Sequence, residues 1–66
     1  MKNRLKVERA ELNITQQQLA DRIGVSRQTI NAMELGKYIP STALALKLSR
    51  VFSKPVNDIF FLEEGE

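Results

Sequence analysis

Apolar positions along this chain recur every three or four residues, in segments bounded by Gly, Pro, Ser and Asn. That period is helical, and it predicts five helices. The first spans about Asn3 to Leu12, with Leu5, Arg9 and Leu12 on one face. Thr15 followed three residues later by Gln18 is a capping box, so "TQQQ" starts the second helix. Leu19 and Ile23 are its core pair, and Gly24 ends it in the left-handed conformation that follows a helix C-terminus. Ser26 caps the third helix, which stops at Gly36. Pro40-Ser41 opens the fourth, where Leu44, Ala45, Leu48, Val51 and Phe52 repeat at helical intervals. A last short turn, "VNDIF", follows Pro55.

The tail "FFLEEGE" breaks this pattern. Three large apolar residues in a row, Phe60 to Leu62, lie within seven residues of the end. A frayed terminus does not usually carry them. They predict a short strand buried either against the chain's own body or against a second protomer. Met1 to Asn3 is a candidate neighbouring strand.

Helices two and three are joined by only "IGVS". Ala20 lets the next helix cross close to its backbone, and Gly24 supplies a sharp turn without a Cβ clash. Leu19, Ile23, Val25, Ile30 and Met33 are spaced to fill the angle between the helices. The pattern is that of a helix-turn-helix over about residues 15–36, although any tight helical hairpin shares part of it.

The third helix separates its faces cleanly. At about 100° per residue with Arg27 at zero, Asn31 falls near 40° and Gln28 near 100°. Val25, Thr29, Met33 and Ile30 occupy the arc from roughly 160° to 300°. The open face thus carries an arginine and two amides. Arginine donates twice to guanine O6 and N7, and Gln or Asn pairs a donor and an acceptor with adenine N6 and N7. Each of the three is an ordinary surface residue alone. Together, at the start of this helix, they point to base readout in a DNA major groove.

Composition agrees and excludes alternatives. At 66 residues the chain fits one domain, residues 1–66. It has no Cys and no His, so neither a disulfide nor a zinc site supports it. Residues 1–54 hold all 10 Lys and Arg against only Glu8, Glu11, Asp21 and Glu34. Asp58, Glu63, Glu64 and Glu66 follow with no base among them. A basic body with an acidic end suits a polyanionic partner for the body. The N-terminus has no apolar run for a signal peptide or membrane span, so the expected location is the cytoplasm and no membrane partner is expected. No paired acids stand ready for general acid–base work, so no enzyme activity and no cofactor are expected.

The residues "TQQQLADRIGVSRQTINAMELGKYIPS", with "LALKLSRVF" and "VNDIF", resemble the XRE type of helix-turn-helix regulators, which includes the phage Cro and cI repressors. The likeness runs over essentially the whole chain and is greatest to short stand-alone members such as the cytolysin-operon repressor. It implies an all-α, five-helix, lambda-repressor-like domain, with a short C-terminal β-strand at a dimer interface formed by residues of about 56–66. The implied function is a repressor or autoregulator that binds a pseudo-palindromic operator as a homodimer. A protein-binding module, such as an antitoxin or coactivator, is the alternative.

By position, the resemblance makes Arg27, Gln28 and Asn31 the base contacts. It makes Gln16, Ser26, Lys37 and Tyr38 the phosphate contacts, with Gln16 also bracing the recognition helix. Arg9 and Glu34 would form an ion pair tying helix one to the end of helix three. Ile59, Phe60, Phe61 and Leu62 would form the dimer interface. Two positions depart from the family's pattern. Glu8 stands where an apolar residue is frequent, so that either Val7 turns inward or Glu8 lies at the rim near a base. Thr42 stands where a larger apolar residue is common, which predicts looser packing at the start of helix four.

Overall fold

Three hydroxyl side chains start three of the helices. In the computed structural model, which describes all 66 residues, Thr15 accepts a hydrogen bond from the Gln18 backbone N–H at 3.0 Å. Ser26 accepts from Thr29 at 3.1 Å and Ser41 from Leu44 at 3.2 Å. Each cap satisfies a donor that the helix leaves unpaired and contributes about 1 kcal/mol. They open α2 (Gln16–Ile23), α3 (Arg27–Glu34) and α4 (Thr42–Phe52). The Gln18 amide returns the bond to the Thr15 N–H at 2.8 Å, completing the capping box.

The first helix, α1 (Leu5–Glu11), is shorter than its periodicity suggests. Asn3 belongs instead to a strand, β1 (Lys2–Asn3), and its Oδ1 accepts from the Leu5 N–H at 3.1 Å. Leu12 lies past the last turn and is exposed rather than inward. The fifth helix is a three-residue 3-10 turn over Val56–Asp58. Its bonds run from Asp58 N–H to Pro55 O and from Ile59 N–H to Val56 O. Pro55 is extended, and the chain must reach β2 (Phe60–Phe61) only one residue past the turn. An i→i−4 ladder has no room between them. The fold is therefore four α-helices with a two-stranded sheet, not five helices.

β1 and β2 pair antiparallel, with Lys2 opposite Phe61 and Asn3 opposite Phe60. The predicted strand exists, and its partner is the chain's own N-terminus. Leu5, Ile14, Leu19, Ala20, Ile23, Ile30, Met33, Leu48, Phe52, Ile59 and Phe60 form one core. Ile59 is fully buried and Phe60 nearly so, so both side chains fill the monomer's own core, and Ile59, expected in a dimer interface, offers no surface to one. Fully burying one such side chain contributes about 1.5–3 kcal/mol, and a domain this small needs both. Phe61 and Leu62 remain exposed. Thr42 is exposed too, so no large side chain is missing from the core at that position.

Glu8 takes the second of its two expected placements, more deeply than a rim position. Its carboxylate is buried and accepts from Lys54 Nζ at 2.7 and 2.9 Å and from Arg4 Nε at 3.4 Å. Val7 stays outside. The hydrogen bond from Lys54 outweighs burial and holds the Glu8 carboxyl below its ordinary 4.5. The same bond raises the Lys54 ammonium above its ordinary value. Because the folded carboxyl titrates below the unfolded one, the pair's stabilisation is complete above pH 4.5 and fades as the pH falls through the folded value.

Melting temperature is accordingly expected to drop on acidification, and Glu8→Gln to flatten that limb. In Lys54→Met the carboxylate is buried with Arg4 alone, burial then dominates, and mild acid should stabilise the variant. Thermal melts between about pH 3 and 7 check both. A Lys54→Met curve parallel to the wild type would remove the pair from the account.

No helix is long and apolar enough to cross a membrane.

Candidate nucleic-acid interface

The turn between α2 and α3 is set by one glycine and one small side chain. Gly24 has φ +75°, and its N–H and that of Val25 both bond to the Ala20 carbonyl, at 2.9 and 3.0 Å. Ala20 is fully buried where α3 crosses α2. Ile30 and Met33 then anchor α3 to Leu19 and Ile23 in the core. With that face held, Arg27, Gln28 and Asn31 stand exposed on the other. All three predicted base contacts share one solvent face of one helix. Ala32 is half-buried beside them.

Behind this face runs a connected polar chain. Arg9 grips Glu34 with two bonds, Nε to Oε2 at 2.8 Å and Nη2 to Oε1 at 3.3 Å. Its third bond, from Nη1 to the Ile14 carbonyl at 3.1 Å, ties the same guanidinium to the loop before α2. The expected ion pair is present, and Glu34 keeps the Arg9 guanidinium more basic than usual, against the opposing effect of burial. Gln16 joins this pair to the open face. Its Nε2 donates to Glu34 Oε1 and to Asn31 Oδ1, both at 3.2 Å, and its Oε1 accepts from Arg27 Nη1 at 3.5 Å. Gln16 thus lies between Glu34, Asn31 and Arg27 on α3.

The remaining residues divide by location. Ser26 is the α3 cap, and its hydroxyl sits 3.0 Å from that of Thr29. Lys37 and Tyr38 are exposed just after α3, beyond Gly36. Gly36 has φ +75°, and a Cβ there would meet the Met1 carbonyl oxygen at 3.3 Å. The Asn3 side chain donates to the Met33 carbonyl at 2.8 Å. The N-terminal strand therefore packs against the C-terminal end of α3. Nothing in the periodicity of either segment announces that contact.

Two residues not singled out in the sequence also belong here. An open cleft beside the start of α3 is lined by Asn13 and Gln17 together with Arg9, Thr15, Gln16 and Arg27. The signal for Gln17 was the capping box, which puts it in the first turn of α2 beside Gln16. There it bonds to Asp21 at 2.9 Å. Asn13 has φ +54°, a left-handed conformation that asparagine tolerates.

Comparison with known proteins agrees with this geometry. A family model described as helix-turn-helix matches residues 5–59. An uncharacterized HTH-type transcriptional regulator of Methanocaldococcus jannaschii is 53% identical over 66 residues, covering the whole of both chains. One of Archaeoglobus fulgidus is 50% identical over 66 residues, all of this chain and 93% of the relative. The uncharacterized regulator YgzD of Bacillus subtilis is 47% identical over 64 residues, 97% of each chain. With the turn, the anchored third helix and a family match over most of its length, the chain belongs to the XRE-type helix-turn-helix family of transcriptional regulators.

Proposed function

We propose that this protein is a sequence-specific DNA-binding regulator, a repressor or autoregulator that binds a pseudo-palindromic operator as a homodimer. One observation carries the reading: Arg27, Gln28 and Asn31 are exposed together while Ile30 and Met33 on the opposite side of α3 are buried. Arg27, Gln28 and Asn31 read base edges. Lys37 and Tyr38 hold the phosphate backbone at one end of α3, and Ser26 at the other. Gln16, in the first turn of α2, contacts a phosphate as well and braces α3 from behind. Selection of bound DNA from a random pool tests the whole proposal. Enrichment of two inverted half-sites about one helical turn apart is expected, and a pool that stays random would end it.

The monomer's longest dimension is 33 Å. One protomer offers one recognition helix, whereas successive major grooves lie about 34 Å apart, so a symmetric operator needs two. Leu62 and Leu46 are 74% and 60% exposed. Leu46 borders an apolar groove formed with Met1, Pro40, Ala45, Val56 and Phe60. This end of the molecule, with Phe61 and Leu62, is the proposed dimer surface. Leu62→Lys should shift the protein to monomer in sedimentation without lowering its melting temperature at high dilution. A variant that remained a tight dimer would exclude this surface.

Lys37→Ala is expected to weaken binding to all DNA sequences nearly alike and to make the salt slope shallower by about one. Titrations at several salt concentrations, on the selected site and on random DNA, measure both. A loss confined to the selected site would move Lys37 from phosphate to base contact. The apolar end also fits a protein-binding module such as an antitoxin or coactivator. Co-purification of a partner at fixed stoichiometry, with no enriched DNA, would favour that reading.

A further inference from the structure

An apolar groove and an apolar tail share one end of the molecule, and each has an unpaired charge beside it. The groove at Leu46 holds about 260 Å³. That is less than the roughly 300–1,000 Å³ of a small-molecule pocket, and it suits one inserted side chain. Leu62 is 74% exposed and takes no part in its own chain's groove. It follows Phe60, which does line the groove, by two residues. A surface that carries both members fits a two-fold contact, in which each protomer gives its tail to the other's groove.

The charges lie at matching intervals. Arg50 stands one turn of α4 beyond Leu46, about 6 Å along the axis and on the same side of the helix. Its side chain is exposed and enters none of the chain's ion pairs. In the tail, Glu66 accepts from the Glu63 N–H at 2.6 Å and gives its own N–H to the Glu63 carbonyl at 3.0 Å. These bonds close a turn that contains Glu64. Glu64 is exposed, equally unpaired, and at most about 7 Å along the chain from Leu62. Leu62 to Glu64 and Leu46 to Arg50 therefore span similar lengths and end in opposite charges.

We propose that each protomer seats Leu62 in its partner's groove and sets Glu64 against the partner's Arg50, and that this reciprocal charge pair makes the chain select a second copy of itself. This rests on the dimer surface proposed above. An exposed ion pair adds little attraction, so the apolar contact supplies most of the affinity. The charges supply choice, because a like charge brought to the same place is repelled.

Sedimentation without DNA tests this on the wild type, Glu64→Lys, Arg50→Glu and the variant carrying both exchanges. Each single exchange sets like charges together at two places in the dimer and should weaken self-association roughly tenfold or more. One raises the net charge of +2 and the other lowers it, so a shared loss cannot come from net charge. An equimolar mixture of the two single variants should regain the wild-type association, since both facing pairs are then opposite in sign. The double variant should associate with itself as the wild type does and fail to pair with the wild type. Melting temperatures at high dilution should be unchanged, because both side chains are exposed.

Single variants that dimerise as tightly as the wild type would overturn the charge pair. So would weakened single variants whose mixture stays monomeric, since the two charges then do not face each other. A wild type that stays monomeric at every concentration would refute the dimer surface itself. A dimer that Leu62→Lys dissociates and the charge exchanges leave intact would refute only the selection proposed for Glu64 and Arg50.

Discussion

Replacing Arg9 with methionine is expected to cost about 3–5 kcal/mol, the usual result of removing one partner of a buried ion pair. Three bonds are lost together, two to Glu34 and one to the Ile14 carbonyl. The Glu34 side chain is only 6% exposed, so its carboxylate would be left in the interior with the Gln16 amide as its remaining partner. A domain of this size has a total stability on the order of 3–10 kcal/mol. The variant should therefore melt at least about 12 °C lower, and part of it should be unfolded at room temperature. The Arg9→Met, Glu34→Met double variant should recover most of the loss, because well-packed apolar side chains replace a buried pair at little cost. Calorimetry on the three proteins measures this directly. An Arg9→Met variant that melts within a degree or two of the wild type would reduce the pair to a surface contact.

Arg27→Ala should leave the melting temperature nearly unchanged, because the side chain is exposed and its one intramolecular contact is long. On the proposed function its effect falls on recognition. Loss of a bidentate guanine contact costs about 1–3 kcal/mol on the specific site and relaxes preference at one position of each half-site. In a symmetric dimer the loss occurs twice. Affinity for random DNA should fall much less, by the share of one charge in the phosphate attraction. Competition titrations of the selected site against random duplex separate the two. Equal losses on both would make Arg27 a phosphate contact and leave Gln28 and Asn31 as the readers.

These two predictions stand on different levels of information. The position of Arg27 on an open face follows from helical period alone, since Ile30 and Met33 fix which side of α3 is inward. The capping residues Thr15, Ser26 and Ser41 were equally legible, because a cap is a local interaction between residues three apart. Helix one is shorter at both ends than its local period predicts. There the local period competes with a pairing across the whole chain, between Asn3 and Phe60, which no window on the sequence contains. The fifth helix failed for the same reason, as the segment after Pro55 must bend to deliver Phe60 to β1.

The sequence by itself determined the helix-turn-helix, its anchored and open faces, and the pairing of Arg9 with Glu34 through family resemblance. Those features depend on residues a few positions apart or, for the ion pair, on the resemblance to the family. Only the tertiary structure decided which apolar residues of the tail are interior, that Glu8 is buried against Lys54, and that Gln16 bonds to Glu34, Arg27 and Asn31 at once. Each of those is a contact between segments distant in sequence. Side-chain type says what a group can donate or accept. Which partner it meets is set by how the helices pack.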